Sequence, residues 1–222
     1  MRLLAPLEVT DSKRVTLHLG REIATLGRGW NSAMAEEDSV ALAYLDEIRR
    51  NFRGYKRLAE GALAQLKEAE FFYAPDEESL SMALLMKHIN GNQRSRFTDF
   101  LTSDGEKPDR NRDQEFELEA GVTREQLMQR WEAGWNCVFD ALVSLKSSDV
   151  TQTVYIRGQA HSVIQALQRA LAHYAYHIGQ IVYLAKHIRK AEWQSLSIPK
   201  GKSAEFNAMK PEDRKVKSPS AG

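Results

Sequence analysis

Cysteine occurs once in the 222 residues, at Cys137. A single thiol excludes an intrachain disulfide and a cysteine-based zinc site, and it fits a reducing compartment. Long apolar runs are also missing, since none approaches the roughly 20 residues that a membrane-crossing helix needs. The opening stretch "MRLLAPLEVTDSKRVTLHLGREIA" scatters charges where a signal peptide requires an unbroken apolar segment. Neither sign of charge dominates: 31 lysines and arginines face 30 aspartates and glutamates, so no global field draws nucleic acid or an anionic membrane. The expectation is a soluble cytoplasmic protein with a small-molecule substrate and neither a nucleic-acid nor a membrane partner.

What is present is helical periodicity. With 42% hydrophobic residues the chain can bury one core. Residues 1–33 lack sustained periodicity, and the pattern changes at Met34. They read either as a loose extension, even an over-long reading frame, or as an arm packed on the domain. A first helix is predicted from Ser39 to Ala69, with Leu42, Leu45, Ile48, Phe52, Tyr55 and Leu58 spaced by threes and fours. Pro75 breaks the pattern, and Asp76 or Ser79 can cap a second helix that carries Leu80, Leu84, Leu85 and His88 and continues to Leu101, with a kink at Gly91. A long loop follows over "TSDGEKPDRNRDQEFE". Thr123 and Gln126 stand at capping-box spacing at the start of a third helix ending near Leu145. "TVYIRGQ" reads as a short extended piece, and a fourth helix runs from His161 to Lys190. The fold class predicted is all-α, an up-and-down four-helix bundle with a long loop between its second and third helices. The domain spans 34–206, and the polar tail 207–222 reads as disordered.

The fourth helix holds the most informative pair. His173 and His177 are four residues apart, beside an apolar stripe of Val163, Leu167, Ala170, Tyr174, Ile178, Ile181 and Leu184. Positions i and i+4 lie about 5–6 Å apart between Cβ atoms, so both imidazoles can reach one ion at roughly 2.0–2.1 Å. Alone, such a pair is also compatible with hydrogen-bonded core histidines. His88, on the apolar face of the second helix, adds a third inward imidazole, and a metal becomes the economical explanation. No Glu-x-x-His precedes any histidine, which excludes the two-metal carboxylate site of ferritin-like bundles. Tyr174, Ala175 and Tyr176 separate the pair, so the glutamate of the zincin motif is missing. What remains is a mononuclear three-histidine site, the ligand count of a catalytic centre, for which zinc fits best and nickel, iron or manganese stay open.

His88 in the second helix, and His173-x-x-x-His177 followed by Gly179-Gln180-Ile181 in the fourth, resemble the DinB/YfiT-like superfamily of bacterial metal-dependent proteins. The resemblance covers residues 39 to 207. "HINGNQRSRFTDFLTSDGEKPDRNRDQEF", with its DGEK-x-x-R-x-R-D loop, and "SIPKGKSAEFN" look like one bacterial branch of unassigned function. The resemblance implies a four-helix bundle, a zinc or nickel ion on His88, His173 and His177, and a homodimer. It also implies that some relatives transfer low-molecular-weight thiols, one group isomerises maleylpyruvate with a thiol cofactor, and others have no known reaction.

The loop after His88 is dense in charge. Arg94, Arg96, Arg110 and Arg112 mix with Asp99, Asp104, Asp109 and Asp113. One reading is a solvated loop of weak ion pairs. The other is an arginine clamp on a substrate carboxylate or phosphate over the metal. Asn90 and Asn92 read as water-orienting or as surface residues, Tyr174 and Tyr176 as proton donors or as packing, and Cys137 as core. His161 lies about 18 Å along the helix from His173, His187 sits near a helix end, and His18 belongs to the N-terminal segment.

These residues predict a metal-dependent enzyme. A thiol S-transferase using a low-molecular-weight thiol as cosubstrate leads, because the resemblance points there and no dedicated general base is visible. A metal-dependent hydrolase is the alternative. A non-catalytic metal-stapled bundle would need a fourth protein ligand, and a metal-free core would need a hydrogen-bond partner for every imidazole.

Overall fold

A computed structural model describes residues 12–214, with side chains from Glu36 onward except that of Asp213. It is mostly helical with one small sheet. The helices are α1 (Ser12–Leu63), α2 (Glu68–Phe71), α3 (Met82–Phe97), α4 (Arg124–Ser144), α5 (Val163–Arg189) and α6 (Ser203–Ala208). Strands β1 (Thr153–Ile156) and β2 (Gln159–Ser162) form an antiparallel hairpin between α4 and α5. Among the described residues, no helix is long and apolar enough to cross a membrane.

α1 begins at Ser12, so residues 12–33 are helical and continuous with the helix predicted from Ser39. No proline interrupts 12–63, and a glycine inside a helix costs only about 1 kcal/mol relative to alanine. The rest of the expected extension, residues 1–11, lies outside the described residues, as does the His18 side chain. At its other end α1 stops at Leu63, short of Ala69. Arg124, from the start of α4, donates hydrogen bonds to the carbonyls of Leu63 and Leu66, both at 2.7 Å. The Leu63 carbonyl is among the last groups of the helix, which have no partner within it, and Arg124 binds it and the Leu66 carbonyl of the turn that follows.

Ser81, not Asp76 or Ser79, caps α3, accepting from the Leu84 amide at 3.2 Å. Asp76 instead closes a turn by accepting from the amides of Glu78 and Ser79. α3 passes through Gly91 unbroken and ends at Phe97, two residues before Asp99 turns the chain with φ of 50°. The capping box of Thr123 and Gln126 opens α4 as the spacing predicts, and a second box, Ser162 with Gln165, opens α5. The predicted extended piece pairs back on itself through Arg157 and Gly158, both at positive φ, the backbone a two-residue hairpin turn requires. His161 is therefore on β2 rather than on the last helix. Of the tail read as disordered, residues 207–214 hold the end of α6 and a 3-10 turn at Pro211–Asp213, and 215–222 lie outside the described residues.

α3 packs on α4 and α5, and α1 packs on α5 and α4. Their shared core contains Phe52, Phe97, Trp131, Trp135 and Tyr174, all buried. Phe52 meets Phe97, Trp135 and Tyr174 edge-on, with ring centroids 6.1, 6.4 and 5.8 Å apart, the arrangement aromatic quadrupoles favour. Every residue of the stripe read along the last helix, Val163 to Leu184, is buried. Burying that stripe turns His173 and His177 toward α3.

Candidate metal centre

His88, His173 and His177 converge where α3 faces α5, and one nitrogen from each lies within 4.8 Å of the others. His88 Nε2 and His173 Nε2 are 3.2 Å apart. Two donors at about 2.0–2.1 Å on a tetrahedral ion stand about 3.3–3.4 Å apart, so this pair already has the spacing of two ligands. His88 and His177 are buried and His173 is half-buried.

The hydrogen bonds decide which nitrogens face the centre. His88 Nδ1–H donates to Glu115 Oε2 at 2.8 Å, and His177 Nδ1–H donates to Gln180 Oε1 at 2.8 Å. Each bond leaves Nε2 of its ring as the bare lone pair, the tautomer control typical of metal-ligating histidines. His173 Nδ1 is buried without a hydrogen-bond partner among the described residues. Burial, then the neighbouring His177 and His88, push His173 down to about 3. Burial also pushes His177 down, against the bond to Gln180. Those two rings are therefore neutral near pH 7, the form that binds a metal. His88 Nε2 and His173 Nε2 face each other at hydrogen-bond distance, and ring nitrogens converging in this way fit a cation.

Glu115, which sequence reasoning missed, comes from a 3-10 turn (Asp113–Phe116) that packs beneath α3. Arg110 grips its carboxylate through Nε at 2.8 Å and Nη2 at 3.0 Å. Burial pushes Glu115 up, but the bonds from His88 and Arg110 outweigh it and hold the carboxyl below its ordinary value. Arg110 also pairs with Glu106, which binds Arg96 at 3.0 Å and Arg157 at 3.1 Å. Much of the charge of the DGEK-x-x-R loop is thus a ladder running from the hairpin to His88. Gly91 makes this possible, because a Cβ at that position would overlap the Glu115 carboxylate. The one trace in the sequence was a glycine three residues after His88, on the same helical face.

The histidines open into a cavity of about 760 Å³. Arg96, Arg110 and Arg112 line it, joined by Arg157 and Arg169, whereas Arg94 is exposed and not among its lining residues. Asn90 and Asn92 are buried rather than on the surface. Asn90 bonds the Arg130 carbonyl, and Asn92 accepts from the Tyr174 hydroxyl at 3.2 Å. That bond and its aromatic contacts make Tyr174 a packing residue, while Tyr176 is exposed at the cavity. Among the described residues no fourth histidine or carboxylate joins the three. His161 Nδ1 instead bonds the Gln159 carbonyl.

The fold and this cluster define a mostly helical protein with three histidines able to hold one metal ion at the side of a cavity. The chain belongs to the family described as "Protein of unknown function (DUF1572)", whose model matches residues 39–202. No curated protein and no solved structure matches it significantly.

Proposed function

We propose that this protein is a metal-dependent enzyme of the DinB/YfiT-like type, an up-and-down four-helix bundle with one zinc or nickel ion on His88, His173 and His177. The carrying observation is the convergence of the three imidazoles, two with their Nδ1 atoms engaged, beside a cavity of substrate size. A divalent ion bound there supplies the Lewis acidity that lets a water or thiol lose its proton near neutral pH. The chain's own residues do the rest. Glu115 keeps the proton of His88 on Nδ1, Gln180 does the same for His177, and Phe116, stacked on His88 at 4.8 Å, covers that ring.

We read the reaction as transfer of a low-molecular-weight thiol to a small electrophile, by a cytoplasmic homodimer that engages neither nucleic acid nor membrane. Glu115 is committed to His88 and Arg110, so among the described residues the histidines have no free carboxylate base next to them, which suits a thiol better than water. Hydrolysis is the second reading, favoured by Glu78, a carboxylate that lines the cavity without an ion pair among the described residues. The open cavity, and the lack of a fourth protein ligand among the described residues, favour an enzyme over a metal staple.

Elemental analysis and thiol-conjugation assays of untagged protein test this. About one zinc or nickel per chain is expected, with metal and turnover lost together in His173→Ala, His177→Ala. Turnover retained by the metal-free variant would overturn the mechanism.

A further inference from the structure

The five arginines around the cavity are not equivalent. Arg96, Arg110 and Arg157 are committed to Glu106 and Glu115. Arg112 and Arg169 line the same cavity, are exposed, and form no ion pair or side-chain hydrogen bond among the described residues. Glu78 is the one carboxylate among the lining residues. An exposed cation is solvated cheaply, so position decides whether it has a task.

Both stand one step from a histidine of the centre. Arg169 precedes His173 by four residues on α5, which puts their Cβ atoms about 5–6 Å apart on one face. Arg112 lies over the Phe116 ring at 5.0 Å, and that ring stacks on His88. Leu80, Leu184, Tyr176 and Tyr183 supply apolar surface to the same cavity.

We infer that Arg112 and Arg169 form an anion-binding subsite, and that the ligand of this cavity is a small organic anion. Its carboxylate or phosphate sits on the two guanidinium groups, roughly one helical turn from the histidines, and its apolar body lies against the tyrosines and leucines. The guanidinium fork matches either group with paired hydrogen bonds. The inference rests on the proposed enzyme reading for the identity of the ligand as substrate, but the subsite itself requires no metal.

Calorimetric titration of the full chain with benzoate, phenyl phosphate and inorganic phosphate, in metal-loaded and chelator-stripped protein, tests it. Wild-type protein is expected to bind benzoate or phenyl phosphate, and whichever binds identifies the group. Affinity should fall about tenfold in Arg112→Gln and in Arg169→Gln and about a hundredfold in the double variant, while Arg50→Gln, on an exposed α1 arginine paired to Glu47, leaves it unchanged. Binding to inorganic phosphate should be weaker than to phenyl phosphate, because the apolar wall contributes. Binding within twofold of wild type in the double variant, or no binding of any of the three by wild type, overturns the subsite. Arginine-dependent anion binding by protein that holds no metal as purified and takes up none when zinc or nickel is added keeps the subsite and refutes the metal centre. Protein that holds about one metal per chain but binds anions indifferently to both arginines does the opposite. Melting curves confirm that these exposed substitutions leave the fold intact.

Discussion

Gly91 and Glu115 act as one device at His88. The glycine removes the Cβ that would block the carboxylate, and the carboxylate holds the imidazole by its Nδ1 proton. Alanine at 91 improves intrinsic helix propensity by about 1 kcal/mol, so a purely local view predicts a more stable protein with unchanged chemistry. The contact predicts otherwise. Gly91→Ala and Glu115→Gln should each weaken metal binding by about 10–100-fold, measured by competition with a chelator. Equal affinity in both would show that His88 needs no such support. Glu106 offers a pH test away from the histidines. Burial pushes its carboxyl up, but Arg110, Arg96 and Arg157 outweigh burial and hold it below the ordinary value. A depressed carboxylate contributes stability that is full above its unfolded pKa and lost as pH falls through the folded one. Glu106→Gln should therefore melt below wild type at pH 7, by about 1–3 kcal/mol, and the gap should close on acidification below about pH 4.5. A gap independent of pH would remove the ion pairs from the account.

At the scale of elements, the centre exists because α3 and α5 are held at one separation. α3 is positioned partly by α4, where Gly134 lets the two backbones approach. A Cβ there would strike the amides of Gln93 and Asn90, both buried. Gly134→Ala should destabilise the protein by about 1–3 kcal/mol, read from denaturant midpoints, although alanine is the better helix former. Periodicity made these helices legible, and the stripe from Val163 to Leu184 and the capping box at Thr123 come directly from spacing. Other boundaries were not legible. α1 stops at Leu63 with no proline to mark the place, and Arg124, from the start of α4, binds the Leu63 carbonyl and that of Leu66 in the turn after it. β2 was read as the start of a helix because an isolated four-residue strand has too few positions to show alternation.

For the whole molecule, one ion on His88, His173 and His177 would join α3 to α5 across 85 residues of intervening chain. A ligand that binds only the folded state stabilises it by about 2.7 kcal/mol at a hundredfold excess over Kd. For a chain of this size each kcal/mol moves Tm by about 2–4 °C. Zinc or nickel added to chelator-stripped protein should then raise Tm by about 5–11 °C, and His173→Ala should abolish the rise. A melting temperature indifferent to metal in the wild type would return the three imidazoles to the core.

The sequence by itself determined the helical class, the buried stripes and the three histidines, because each depends on residue type repeated at a spacing of three or four along one element. Only the tertiary structure decided which groups serve those histidines. Glu115 and Arg110 reach His88 from a loop without periodicity, and of the arginines after His88, charge alone could not separate Arg96 and Arg110, spent on carboxylates, from Arg112, left facing the cavity. Pairing between distant side chains is set by how the helices and the loop close on one another, and no local pattern records that closure.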